Sequence, residues 1–299
     1  MIAMAGPPQI IDAHVHVWDA TARHHAWLAD APELAARYLP SDLSAGRHRL
    51  AGVIVVQADC RDDEALDEVD WVAGLAADHP LIRGMVADAP LERGPAAAAP
   101  VLDALAQRPL VVGVRRLLQD EPAERLAEPE LAAGIAAVGE RGWPFDLCVR
   151  AHQLRAAEAL VARCPQVTFV LDHLGKPPVA HGALDPWRAD LRRLAAHPNV
   201  RCKLSGLITE AGTPDWQPAQ LRPFLEYALE VFGPRRCLAA SDWPLVEVDG
   251  SAERWFDLLL DVVDGSARPA VLVETARETY GLVEAPAPIA EGTGARRHV

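Results

Sequence analysis

GVIVVQ at 52–57, LIRGMV at 81–86 and VVGVR at 111–115 decide the fold. Each is a near-continuous apolar run, rich in β-branched side chains and bounded by polar or turn-forming residues. A strand with one wet face alternates apolar and polar residues, whereas an unbroken run is covered on both faces, as in a parallel sheet. The same kind of segment recurs as QIIDA at 9–13, FDLCV at 145–149, VTFVLD at 167–172, VRCKLS at 200–205 and CLAAS at 237–241. Stretches of helical period separate them. DDEALDEVDWVAGLAADH at 62–79 sets Ala65, Val69, Val72 and Leu75 on one face, with acidic residues at its start, where the helix dipole favours them. In the stretch 218–233, Pro223 either bends the helix or marks a later beginning.

Eight strand–helix units predict an α/β fold, a (β/α)8 TIM-like barrel. The segment RPAVLVETARETYGL supplies a closing C-terminal helix. A doubly wound open sheet is the structural rival, which periodicity alone does not separate from a barrel. The chain of 299 residues is expected to form one domain over residues 1–285, with a flexible tail over 286–299.

Twenty-nine basic against forty-two acidic side chains give a net charge of −13. That balance opposes a nucleic acid partner and an anionic membrane surface, but not a small anion held by a few arginines. Five scattered cysteines without a CxxC pair support neither a disulfide framework nor a thiolate zinc cluster. The sequence shows no basic leader followed by a long apolar run, so the expected location is cytoplasmic and no membrane partner is expected.

Candidate chemistry gathers at strand ends. His14 and His16 in DAHVHVWD are two residues apart, so an extended chain sends both imidazoles to one side. Such a pair suits a divalent metal or a ligand oxygen, or it merely caps the strand. His173 follows the sixth strand and Asp242 the eighth. The four groups meet only if the sheet closes, and Asp242 is then the candidate general base. Asp172 either orients His173 or caps a turn. Arg115 points into the pocket if Val114 faces the helices, where its fork suits a carboxylate or hydroxyls. Lys203, inside a buried strand, needs an acidic partner or a place in the pocket. Trp18, Trp27, Trp216 and Trp243 lie in the mouth loops, and Trp18 and Trp243 are the candidate walls for a substrate ring. His152, Gln57 and Ser205 are further pocket candidates by position.

The ordered set IIDAHVHVWD, HHAWL, VVGVRRLLQ, FDLC, VLDHLGKPP, KLSGL, SDWP and ETYGL resembles the amidohydrolase superfamily. The branch it is most similar to contains sugar-acid lactonases and 2-pyrone-4,6-dicarboxylate lactonase. The resemblance spans nearly all of residues 10–282. It implies a distorted barrel and a site lined by His14, His16, His173 and Asp242, with Asp242 near the attacking water. Those four would also ligate one divalent metal ion such as zinc, although some lactonases of the branch work without metal. No lysine ends the fourth strand and no histidine directly ends the fifth, which argues against a two-metal centre. The expected activity is opening of a small lactone by activated water, with no organic cofactor. A metal-dependent decarboxylase or C–N hydrolase of the same superfamily is the enzymatic rival, and a non-enzymatic carbohydrate-binding domain is the other. The expected partner is the small-molecule substrate, and a homo-oligomer is compatible with the sequence.

Overall fold

Eight parallel strands pair in chain order: β1 (Gln9–Val15), β2 (Arg49–Val56), β3 (Ile82–Ala87), β4 (Val111–Leu117), β5 (Phe145–Cys148), β6 (Phe169–Leu171), β7 (Val200–Leu204) and β8 (Cys237–Ala239). The structure is a computed structural model that describes residues 8–283, so the expected tail at 286–299 lies outside the described residues. The parallel order with intervening helices rejects an open doubly wound sheet, because strand order never reverses.

Closure is where the barrel is distorted. The chain just beyond β8, rather than β8 itself, completes the ring: Val15 bridges Trp243 in parallel. The Asp242 amide donates to the His14 carbonyl at 3.0 Å, and the His16 amide donates to the Trp243 carbonyl at 2.7 Å. The Ser241 amide donates to Asp12 Oδ1 at 2.8 Å. The seam therefore includes His14, His16, Asp242 and Trp243, four residues that sequence assigns to the site.

Strand alternation sorts the core into two layers. Val53, Val55, Met85, Phe169, Leu171, Cys237 and Ala239 pack in the larger cluster with the helices. Ile54, Val56, Val86, Val170 and Leu238 form a second cluster with Ala276 and Tyr280. Tyr280 belongs to the closing helix Thr275–Tyr280, which follows a π-helical turn at Ala270–Glu274. Its hydroxyl donates to both carboxylate oxygens of Asp146 at 2.9 and 3.0 Å, anchoring that helix to β5.

The helix Ala65–Asp78 buries Ala65, Val69 and Val72 as expected, and Glu68 with them. Glu68 is tolerated because its Oε1 accepts from the Ala58 amide at 2.9 Å. Pro223 lies inside the helix Pro218–Phe232, so it does not mark a later start. Among the described residues, no helix is long and apolar enough to cross a membrane.

Candidate active site and metal centre

The imidazoles of His14 and His16 meet as their spacing requires, with Nε2 atoms 3.0 Å apart. Asp242 Oδ1 lies 3.7 Å from each of them and 3.8 Å from His173 Nε2. Four side chains separated by up to 228 positions (242 minus 14) thus converge at the seam, and all four are buried. His16 Nδ1 lies 2.8 Å from the Val56 carbonyl and can only donate to it, which leaves Nε2 with its lone pair facing the cluster. His173 Nδ1 lies 2.9 Å from Ser205 Oγ, a partner that either donates or accepts.

Burial dictates the charge states. It pushes His14 well below its ordinary value, with the Lys203 ammonium adding to the effect against the Asp172 carboxylate. His16 falls to about 3, through burial and then the Arg115 guanidinium. His173 is also held well down by burial, with Asp172 opposing. All three imidazoles are therefore neutral near pH 7. Burial raises Asp242 to about 7, against the pull of the Lys176 ammonium. Its Oδ1 is buried without a hydrogen-bond partner.

Neutral imidazole nitrogens with one unpartnered carboxylate oxygen make a donor set suited to a borderline-soft divalent ion such as zinc. His14, His16 and Asp242 form one group close enough to share an ion, and His14, Asp172 and His173 form another. Both draw on His14, so the two describe overlapping options for one centre.

A cavity of about 140 Å³ opens above this cluster, lined by His16, His173, Asp242 and Arg115 and walled by Trp27. Val114 faces the helices and Arg115 faces the cavity, as alternation requires. The Arg115 guanidinium donates to the Gln57 carbonyl at 2.6 Å and approaches Asp172 Oδ2 at 3.4 Å.

Several expected positions differ. Trp18 is packed under Trp27 and Tyr38, and its indole donates to the Leu34 carbonyl, so it does not line the cavity. Trp243 stacks edge-on to Tyr38 and serves the seam through its backbone. Trp27, on the 3-10 turn Ala26–Ala29, takes the wall position because its indole is tied to the Ala58 carbonyl at 2.9 Å. Gln57 lies behind the wall, with its side-chain carbonyl accepting from the Asp59 amide. His152 borders a neighbouring groove with Arg150, Arg155 and His181. Lys203 is fully buried and pairs with Asp146 and, at 3.0 Å, with Asp172 Oδ1, so the ion-pair alternative describes its position. Trp216, fully buried, donates to the Asp249 carbonyl at 3.1 Å.

Sequence reasoning passed over Asp59 and Lys176, which also line the cavity. Lys176 makes no ion pair to another described residue. Both have left-handed backbone, at φ +55° and +49°. The available signal was position: Asp59 follows β2, and Lys176 lies within the HLGKPP stretch.

Comparison with known proteins agrees with this geometry. The amidohydrolase family matches residues 11–282. The chain is 35% identical over 304 residues to an L-fucono-1,5-lactonase of Burkholderia multivorans, covering 92% of this chain and 96% of that one. It superposes on a zinc-bound amidohydrolase from Burkholderia multivorans with a TM-score of 0.79 and 31% identity, over 92% of this chain and all of that one. A second similar structure, amidohydrolase 2 of Bifidobacterium longum subsp. infantis, gives a TM-score of 0.74 at 30% identity, over 92% and 99% of the two chains. The converging imidazoles, the carboxylate at the seam and a family match over nearly the whole barrel lead to one conclusion: this chain belongs to the amidohydrolase family and is an enzyme of that superfamily.

Proposed function

We propose that the chain hydrolyses a small sugar-acid lactone by general-base attack of water. One observation carries the reading: three neutral, buried imidazoles surround Asp242, whose carboxyl is raised to about 7 and keeps one oxygen free of hydrogen bonds. A base with that affinity for protons takes one from water near neutral pH and returns it within the same turnover. The lactonase name of the Burkholderia relative supports the substrate class.

In this reading Asp242 removes a proton from water as the water oxygen attacks the ring carbonyl. The carbon–oxygen ring bond then breaks, and protonated Asp242 gives its proton to the departing ring oxygen. The products are a hydroxyl and a carboxylic acid, which ionises in solution. Arg115 and Lys176 place positive charge at the cavity wall, where it favours the developing oxyanion. Trp27 offers a flat apolar face for the ring. His14, His16, His173 and Asp242 would hold a divalent ion, which when bound polarises a carbonyl and acidifies water.

The test is acid release from L-fucono-1,5-lactone and a panel of other aldonolactones, followed with a pH indicator and compared with carbon dioxide release from aromatic carboxylates. Acid release from at least one lactone is expected. Carbon dioxide from an aromatic acid with no lactone turnover overturns the proposal, and so does saturable carbohydrate binding without product.

A further inference from the structure

Two proton placements fit the geometry around His14, and only one of them leaves a lone pair for a metal ion. Lys203 Nζ donates to His14 Nδ1 at 3.0 Å. An ammonium has donors only, so Nδ1 accepts and the ring proton sits on Nε2. That proton points at His16 Nε2, 3.0 Å away, which is free to accept because His16 Nδ1 donates to the Val56 carbonyl. Lys203, His14, His16 and Val56 form an unbroken donor–acceptor line. Every ring nitrogen along it is satisfied, and His14 has nothing left with which to ligate.

The same arrangement leaves one buried acceptor served by Lys203 alone and another without a partner. Asp172 Oδ1 pairs with Lys203 Nζ at 3.0 Å and lies 3.3 Å from His14 Nδ1, which in this tautomer has no proton to give it. Asp242 Oδ1 faces the imidazoles without a partner. Unmade hydrogen bonds at buried carboxylates are unfavourable. Placing the His14 proton on Nδ1 gives Asp172 a second donor and turns a lone pair toward Asp242 Oδ1, an arrangement that a cation completes. Asp172 then accepts from Nδ1, and the Nε2 lone pair joins His16 Nε2 and Asp242 Oδ1 around a common point.

We infer that Lys203 and Asp172 compete for His14 Nδ1 and thereby set how tightly this centre binds a divalent metal. Lys203 holds the tautomer that excludes the ion, and Asp172 holds the tautomer that ligates it. The proton changes place between two nitrogens of one ring, so net charge is conserved and Lys203 keeps its ammonium against Asp146. Both are positioning residues, acting through His14.

Zinc affinity of the purified chain, measured by competition with a chromophoric chelator, tests this without reference to turnover. Lys203→Met is expected to tighten zinc binding about tenfold, because the ligating tautomer no longer has a competitor. Asp172→Asn is expected to weaken it by roughly ten- to a hundredfold, the usual effect of losing a partner that orients a ligand. Arg115→Gln removes a nearby buried cation that does not touch Nδ1, so an equal gain there would assign the effect to charge alone and overturn the inference. Unchanged or weaker binding in Lys203→Met also overturns it. Because that variant leaves two buried carboxylates without their ammonium, the wild-type protein supplies a second test. Long-range proton–nitrogen spectra should show His14 protonated on Nε2 without metal and on Nδ1 with zinc. The same tautomer in both states refutes the competition, whatever the outcome with lactones.

Discussion

Gly206→Ala should unseat His173 while leaving the barrel folded. Gly206 has φ +71°, and an added Cβ would lie 2.7, 2.8 and 2.9 Å from Cβ, Cγ and Nδ1 of His173. The left-handed backbone alone costs alanine about 1–2 kcal/mol. Carbon atoms pack at about 3.5 Å or more, so against 2.7 Å the imidazole must retreat by roughly 0.8 Å. His173 cannot yield freely, because its own backbone sits at φ +52° and its ring is tied to Ser205 at 2.9 Å. Overpacking of this kind adds about 1–3 kcal/mol, for a total near 2–5 kcal/mol. In a chain of this size that lowers Tm by roughly 3–8 °C. A displacement of about 1 Å in a catalytic group reduces turnover about a hundredfold. Calorimetry gives the first number, and kcat/KM on a turned-over lactone, measured well below Tm, gives the second. A variant with wild-type Tm and wild-type kcat/KM would refute the claim that Gly206 seats His173 for the reaction.

Asp242→Asn should lower kcat by about a hundred- to ten-thousandfold with little change in KM, and undiminished turnover would remove Asp242 as the base. Glu68, raised by burial to about 7 from 4.5, binds its proton more tightly folded than unfolded. Its contribution to stability is therefore complete below pH 4.5 and is lost as pH rises through 7, by about 3 kcal/mol. Urea unfolding at pH 5 and pH 8 should show Glu68→Gln gaining on the wild type as pH rises, and a pH-independent difference would contradict the burial of a strained carboxyl. Gly134→Ala places a Cβ 2.3 Å from the Leu91 carbonyl oxygen. Despite a helix-propensity gain of about 1 kcal/mol, it should lose about 1–3 kcal/mol in urea unfolding, and a stabilised variant would mean that the turn Leu91–Arg93 moves aside.

Strands covered on both faces were legible because burial leaves a mark in composition alone: GVIVVQ and VVGVR need no knowledge of their neighbours. The convergence of His14 and His16 was equally local, since alternation over two residues fixes their common side. Loop side chains had no such rule. Whether Trp18 or Trp27 faces the cavity depends on which indole reaches a carbonyl across the loop, Leu34 for one and Ala58 for the other. Glu68 was hidden for a similar reason: its burial rests on one hydrogen bond to a backbone amide ten residues earlier. Lys203 left two readings open because strand burial demanded a partner without naming it. Its partners, Asp146 and Asp172, come from two other strand segments that only the closed barrel brings near.

The same closure explains where strain is stored. Among the described residues, five that are not glycine have left-handed backbone, and four of them, Asp59, His173, Lys176 and Asp242, line the cavity. Such conformations cost about 1–3 kcal/mol each and persist only where surrounding structure dictates them. At Asp242 the surroundings are identifiable: its amide is fixed by the His14 carbonyl, and the following residue is fixed by Ser241 Oγ and His16. The hydrogen bonds that close the barrel are therefore also those that aim Asp242 at the imidazoles. A change that loosens the seam should disturb the site before it unfolds the chain, because the strained residues relax as soon as the contacts restraining them are gone.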